Sequence, residues 1–406
     1  MAPLLYLTHR IPYPPNKGDK VRSYHLLRFL ARRYAVHLGT FVDDDADRAH
    51  EGALAPLCAS THVATIHPTR ARIRSLAGLF SGEALTLGYY RDEGLAQWVR
   101  ATVARHGITR VVVFSSAMAQ YVTDLAGVRT VVDFVDVDSA KWEQYGRSRA
   151  WPLSQIYRRE GDRLLAFERA VARAADASVF VTAAEADLFR RKAPECAARV
   201  SFAQNGVDTD YFAPDEARES PFAPDEEALV FTGAMDYWPN VDAVCWFAHE
   251  ILPAIRAARP QARFHIVGMQ PAPTVQALAR LPGVAVTGRV PDVRPYLQHA
   301  RVVVAPLRVA RGIQNKVLEA MAMARPVVVS ACAAEGLSAR RSEEIEVAED
   351  AATFAARVLA AMAPGDAQRL GAAARVRAVT DYDWAANLAP FARLIEDADA
   401  LRVRAS

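Results

Sequence analysis

At 406 residues, with a formal net charge of +3 and 23% charged side chains, the chain is too long for one hydrophobic core. Its charge is too balanced for nucleic acid to be the main partner. Cys58, Cys196, Cys245 and Cys332 are widely scattered, which excludes paired zinc or redox spacing and predicts reduced thiols. No apolar run reaches the ~18 residues of a membrane span, and the opening MAPLLYLTHR lacks a basic leader with an apolar core. A soluble or peripheral protein on the cytoplasmic side is expected.

The first strand is predicted over residues 4–8. The loop HRIPYPPNKG follows, and Asp19 can then cap a helix whose apolar positions are Val21, Leu26, Leu27 and Leu30. A loop between a strand end and a helix start meets free amide N–H groups, which favour an anion. Gly18 would allow close approach to the backbone, and Lys17, Lys20 and Arg22 would supply charge for a phosphate. His9 is a further polar candidate beside this loop. A plain strand-to-helix turn explains the same residues equally well. Strands predicted at 36–41, 61–66, 110–114, 130–134 and 178–181, with helices between them, specify a parallel sheet covered on both faces. Arg70, Arg72 and Arg74 precede the apolar residues 76–80, and Arg147, Arg149, Arg158, Arg159 and Arg163 crowd around Trp151. Such segments suit a solvated helix face or an anionic membrane surface.

VVDFVDVDSAKWEQY places Asp133, Asp136 and Asp138 at a strand's carboxyl end. Asp136 and Asp138 have the D-x-D spacing of a divalent-cation site, yet Asp43 with Asp45 and Asp208 with Asp210 repeat it, so the pattern is unspecific. Asp138 can instead cap the next helix. After a short strand at 200–203, Asn205-Gly206 demands a turn, and the acidic, proline-bearing residues 215–227 read as a linker.

The second half repeats one arrangement of strand, glycine turn and helix. Residues 229–232 run into Gly233, with a helix after Pro239 and Asn240; 264–267 precede Gly268; 284–286 precede Thr287, Gly288, Arg289 and Val290. Residues 302–305 end at Pro306 and lead through a glycine-bearing loop into a helix over 313–323, before a strand at 327–329. The start of that helix faces the crevice at the strands' carboxyl ends. Lys316 and Glu319 share one helical face, a cation for phosphate and a carboxylate for sugar hydroxyls; an exposed ion pair is the alternative. Trp384, Leu388, Phe391 and Leu394 fall on one face of a final amphipathic helix.

The segment KVLEAMAMARPVVVS resembles the donor-site helix of the family 4 glycosyltransferases, and N-G-V-D at Asn205 resembles the end of that family's first domain. PYPPNKGDKVRS and DFVDVDSAKW further resemble sugar transferases associated with PEP-CTERM/exosortase exopolysaccharide systems. The resemblance implies an α/β chain of the GT-B fold: two Rossmann-like, doubly wound parallel-sheet domains facing an interdomain cleft. It implies an acceptor-side domain over 1–210, a donor-binding domain over 211–380 and a returning helix over 381–406. The implied activity is sugar transfer, with retention, from a UDP- or GDP-sugar to a glycan or lipid-linked acceptor in exopolysaccharide or other surface-glycan synthesis. No cofactor or metal is implied. Donor-binding positions by resemblance are Gly18, Gly233, Gly268, Arg289, Val290, Gly312, Ile313, Gln314, Asn315, Lys316 and Glu319. Asp136, Lys316 and Arg311 are the expected catalytic residues, and His9, Lys20 and Arg22 are expected on the acceptor side. Two departures stand out. Arg311 occupies the place of an upstream Glu, and Met235, Asp236, Tyr237 and Asn240 stand where many members carry an Arg and a Lys. They leave open a non-catalytic scaffold or a nucleotide-sugar epimerase on the same fold.

Overall fold

The computed structural model describes residues 1–15, 18–148, 150–310 and 312–396. Lys17, Arg149 and Arg311 therefore lie outside the described residues. The chain forms two units, one of residues 1–204 with the chain from Leu388 onward, the other Asn205–Asn387.

The first unit is built on β1 (Ala2–Thr8), β2 (Tyr34–Val42), β3 (Ser60–Thr65), β4 (Arg110–Phe114), β5 (Arg129–Val135), β6 (Ala177–Phe180) and β7 (Val200–Phe202). They lie in the order β3-β2-β1-β4-β5-β6-β7, every pairing parallel. The second unit has β8 (Glu227–Thr232), β9 (Ala262–Val267), β10 (Val284–Gly288), β11 (Val302–Ala305), β12 (Val327–Ser330) and β13 (Glu346–Ala348). Their order is β10-β9-β8-β11-β12-β13, again wholly parallel.

Both sheets therefore run outward from their first strand in one direction, return, and run outward in the other. The reversal falls between β1 and β4 in one unit and between β8 and β11 in the other. At such a reversal the connections leave to opposite faces of the sheet and open a crevice outside the carboxyl ends. The central strands explain their own burial. RVVVF in β4 and VVVA in β11 carry branched side chains on both faces because helices cover both. Val111, Val113 and Val132 join Leu5 and Phe180 in one core; Val230, Phe231, Ile266, Val303 and Val328 join in the other.

The last helix, Trp384–Glu396, buries Leu388, Phe391, Leu394 and Ile395. From Leu388 it belongs to the first unit. There Arg22 lies over the Phe391 ring, Arg129 Nε donates to Leu394 O at 2.8 Å, and Glu396 accepts from Arg110 at 3.0 Å. β13 was not expected from the sequence. Three residues at a sheet edge, opening on Glu346, carry no apolar run that would announce a strand.

Candidate functional site

The turns at the reversal of the second sheet are packed without slack. A Cβ on Gly268 would lie 1.6 Å from Gly233 O, so the turns after β9 and β8 touch through bare backbone. A Cβ on Gly233 would lie 2.7 Å from Asn240 Nδ2 and 3.2 Å from Lys316 Nζ. The first glycine turn thus rests against an amide and an amine from two different helices.

Lys316 is in the first turn of the helix Asn315–Ala322, which starts just beyond β11. Its Nζ donates to Asn240 Oδ1 at 2.6 Å and stands 4.1 Å from the centroid of the Phe231 ring, a cation–π contact. Asn240 Nδ2 donates to Ala234 O at 2.9 Å, which fixes the amide with its oxygen toward the lysine. The helix start is fastened as well. Asn315 Oδ1 accepts from Asn205 Nδ2 at 3.2 Å, and Asn205 O accepts from Asn387 Nδ2 at 3.1 Å.

Lys316 and Glu319 do not form an exposed ion pair; the lysine turns to Asn240. Burial lowers the Lys316 amine to about 7, against a smaller pull upward from Glu319. Burial likewise raises the Glu319 carboxyl to about 7, with Lys316 pulling it down. Two desolvated groups are held one helical turn apart beside a helix N-terminus, where the dipole is positive. An anion arriving there would restore full charge to the amine. A hydroxyl-bearing ring could then meet Glu319.

The loop before this helix carries further expected donor-side residues. Gly312 has φ +64°, a conformation open to glycine, just before buried Ile313. Gln314 is the extended N-cap, Val290 is half-buried against the core, and Arg289 is exposed. The Tyr211 phenol, raised by burial and by Asp292, also feels Glu319, and Arg294 stacks over it with Cζ 4.0 Å from the ring centroid.

The first unit holds its polar groups at the corresponding edge. His9 Nε2 lies 3.3 Å from Asp19 Oδ2, and Arg10 Nη1 lies 2.9 Å from the same oxygen. Arg10 also grips Asp43 through Nε at 3.1 Å and Nη2 at 2.7 Å. The His9 ring stacks on Phe114, and its Nδ1 is buried without a hydrogen-bond partner among the described residues. Burial opposes the Asp19 charge, but His9 and Arg10 outweigh it and hold the carboxyl well below the ordinary range. Asp19 thus sits in the first turn of the helix Gly18–Ala31 as the anchor of a charge network. Gly18 is exposed, with open space where a Cβ would be.

At the end of β5, Val135 has φ +68°, which a β-branched side chain adopts only under strain. The bend breaks the β5–β6 register between Asp133 and Val135 and presents Asp136. Lys141 Nζ holds Asp136 at 2.8 Å and Asp138 at 3.1 Å. Burial disfavours the Lys141 charge, yet the two carboxylates overcome it and raise its pKa well above normal. The remaining Asp136 oxygen, Oδ1, is buried without a hydrogen-bond partner among the described residues.

Lys20 and Arg22 correct the sequence reading. Neither offers charge to a phosphate, because both point into the first unit's interior. Lys20 Nζ pairs with Asp47 at 2.6 Å, and Arg22 pairs with Asp133 through Nε at 2.8 Å and donates to Ala203 O at 2.9 Å. Asp133 is likewise fully buried. The sequence reading missed two positioning residues, Asn240 and Asn205. Their signal is slight: each stands beside a turn whose glycine was noticed for other reasons.

Residues 226–363, covering β8 to the middle of the second unit's helices, match the sequence profile of the family described as Glycosyl transferases group 1. The match falls wholly within the second unit. No curated protein matches the chain in sequence. Among solved structures, sucrose-phosphate synthase from Thermosynechococcus elongatus superposes with a TM-score of 0.74 at 18% identity, covering 100% of both chains. HepE of Anabaena in complex with UDP-glucose gives 0.69 at 13% identity, covering 97% of this chain and 99% of that one. WaaG, a glycosyltransferase of lipopolysaccharide biosynthesis, gives 0.64 at 16% identity, covering 97% and 100%. These likenesses establish the fold as GT-B, two parallel-sheet Rossmann-like domains, and together with the profile match they support a glycosyltransferase.

Proposed function

We propose that the protein is a retaining glycosyltransferase that moves a sugar from a UDP- or GDP-linked donor to a hydroxyl of a glycan or lipid-linked acceptor, in exopolysaccharide or other surface-glycan synthesis on the cytoplasmic side. The observation that carries this reading is Lys316, half-buried at a helix N-terminus, aimed by Asn240 at 2.6 Å and set over the Phe231 ring. A diphosphate is the ligand for which such an amine is worth its cost. As the sugar leaves, negative charge grows on the diphosphate, and a pre-placed amine with helix amides stabilises it without reorganising. Arg311, five residues earlier in the sequence, is proposed to add a second cation. Glu319 takes the pentose hydroxyls. The likeness to HepE, solved in complex with UDP-glucose, favours a uridine donor as the first to test.

On the first unit, Asp136 and His9 are proposed to orient the acceptor. Each carries one buried polar atom with no hydrogen-bond partner among the described residues, and an acceptor hydroxyl can satisfy it. The acceptor proton is proposed to leave to a donor phosphate oxygen. Thermal unfolding with UDP-, GDP- and ADP-sugars tests the donor site: one nucleotide class should raise the midpoint with its affinity. Release of that nucleotide with an acceptor extract tests transfer. A protein that binds none of the three donors, or isomerises one without acceptor, refutes the proposal.

A further inference from the structure

At the end of β5, alternate backbone N–H groups are taken by three buried acids, two of them on other helices. Val135 N donates to Asp133 Oδ1 at 3.2 Å, Val137 N to Glu185 Oε2 at 2.8 Å and Ser139 N to Glu168 Oε1 at 3.1 Å. Ser139 Oγ adds a second bond, donating to Glu168 Oε2 at 2.5 Å. Glu168 is fully buried in the helix Leu153–Ala174, and Glu185 is buried in the first turn of the helix Ala183–Lys192. Burial, reinforced by Asp138, raises the Glu168 carboxyl to about 8; Ser139 and Lys141 pull the other way without prevailing. The carboxyl is therefore largely neutral at pH 7. Its helix also comes close to this segment about two turns earlier, where a Cβ on Gly161 would lie 3.2 Å from Ser139 O.

Capping a helix does not require a buried carboxyl from another helix. A short polar side chain at the helix start does it locally, and Asp138 stands there, the first residue of the helix Asp138–Ser148. Lys141 Nζ engages Asp138 instead, at 3.1 Å. The residue enclosed by the first two of these bonds is Asp136, whose own N–H donates to Phe134 O at 2.9 Å. A strained residue such as Val135, with φ +68°, persists only where its surroundings over-determine it. We propose that Glu168 is a positioning residue for Asp136, clamping the helix start beyond the bend so that the Asp136 carboxylate stays aimed at an acceptor hydroxyl. The inference rests on the reading of Asp136 as a group that orients the acceptor. Glu168 acts through Ser139 and through Lys141, which shares that helix start and holds Asp136 at 2.8 Å. Without the clamp the first turn can shift, and Lys141 shifts with it.

Glu168→Leu, Glu168→Gln and Ser139→Ala, each alone and combined with Asp136→Asn, test the proposal in the full chain. Two measurements are made: hydrogen exchange of peptide 134–141, and UDP release from UDP-glucose with an acceptor extract. Leucine cannot hold Ser139, so exchange should rise about tenfold. Turnover should fall about a hundredfold with the KM for UDP-glucose unchanged. Glutamine can accept from Ser139 N and reach Ser139 Oγ with its amide, so it should rescue both to within about twofold of wild type. With Asp136→Asn already present, Glu168→Leu should cost almost nothing more, because it acts through the aspartate. An equal loss in both backgrounds, unchanged exchange in Glu168→Leu, or a Glu168→Gln protein that behaves like the leucine variant overturns the proposal. If Glu168→Leu does not fold, Ser139→Ala, which keeps the bond from Ser139 N, should show the same pattern in smaller measure and decides in its place. A wild type that releases no UDP counts against the transferase reading, and exchange at 134–141 then judges the clamp alone.

Discussion

Replacing Lys316 by methionine should make the unliganded protein more stable while removing its grip on the donor. Holding the amine at about 7 instead of its ordinary 10.5 costs the folded chain roughly 4 kcal/mol at pH 7, at about 1.4 kcal/mol per pH unit. Methionine keeps most of the apolar stem and removes that cost. It also leaves Asn240 Oδ1 without its donor at 2.6 Å, a loss of about 1–3 kcal/mol. The balance is about 2 kcal/mol in favour of the variant, which for a unit of this size raises the midpoint by about 4–8 °C. The pH dependence fixes the cause. A depressed lysine penalises folding fully below its folded value, and the penalty disappears as pH rises toward the unfolded value. The variant's advantage should therefore be greatest below pH 7 and shrink toward pH 10. Thermal unfolding across that range, with and without donor, is the assay. A variant less stable than wild type at pH 6, or one still stabilised by donor, refutes the reasoning.

Donor affinity should fall as pH rises above about 7, by up to tenfold per pH unit, because binding must then recruit a proton to Lys316; calorimetry in buffers of different ionisation enthalpy should record that uptake. Asn240→Asp should raise the Lys316 pKa yet weaken donor binding at least tenfold, since the new carboxylate faces the diphosphate; a titration with the nucleotide-sugar reads it. Gly268→Ala should fail to accumulate as folded protein, because its methyl group would overlap Gly233 O, and circular dichroism of the purified fraction checks this. Arg22→Ala should cost about 3–5 kcal/mol by leaving Asp133 buried without its cation, while donor binding in the surviving folded protein stays unchanged. Denaturant unfolding beside a donor titration separates the two effects.

The fold class was legible because its signal is repetitive. The runs at 110–114 and 302–305 coincide with β4 and β11, strands buried on both faces, where apolar sequence has no other reading. Edge strand β13 was hidden, since it is three residues long and opens on a glutamate. Cations were harder to read. Lys20 and Arg22 sit near a helix start just as Lys316 does, and the sequence gives no sign that Asp47 and Asp133, the latter far along the chain, claim the first two. Asn240 was visible only as a departure from a basic clamp. Its role depends on the Ala234 carbonyl that turns its amide, a contact between neighbouring turns that spacing does not encode.

The contact between Gly233 and Gly268 separates positions that can vary from positions that cannot. Neither turn can accept a side chain, so evolution cannot reshape the chain at either one. Tyr237 and Trp238, in the same connection, are about half exposed. On the proposed reading of a donor site here, changes in sugar preference are expected at those two aromatic positions and not at the glycines.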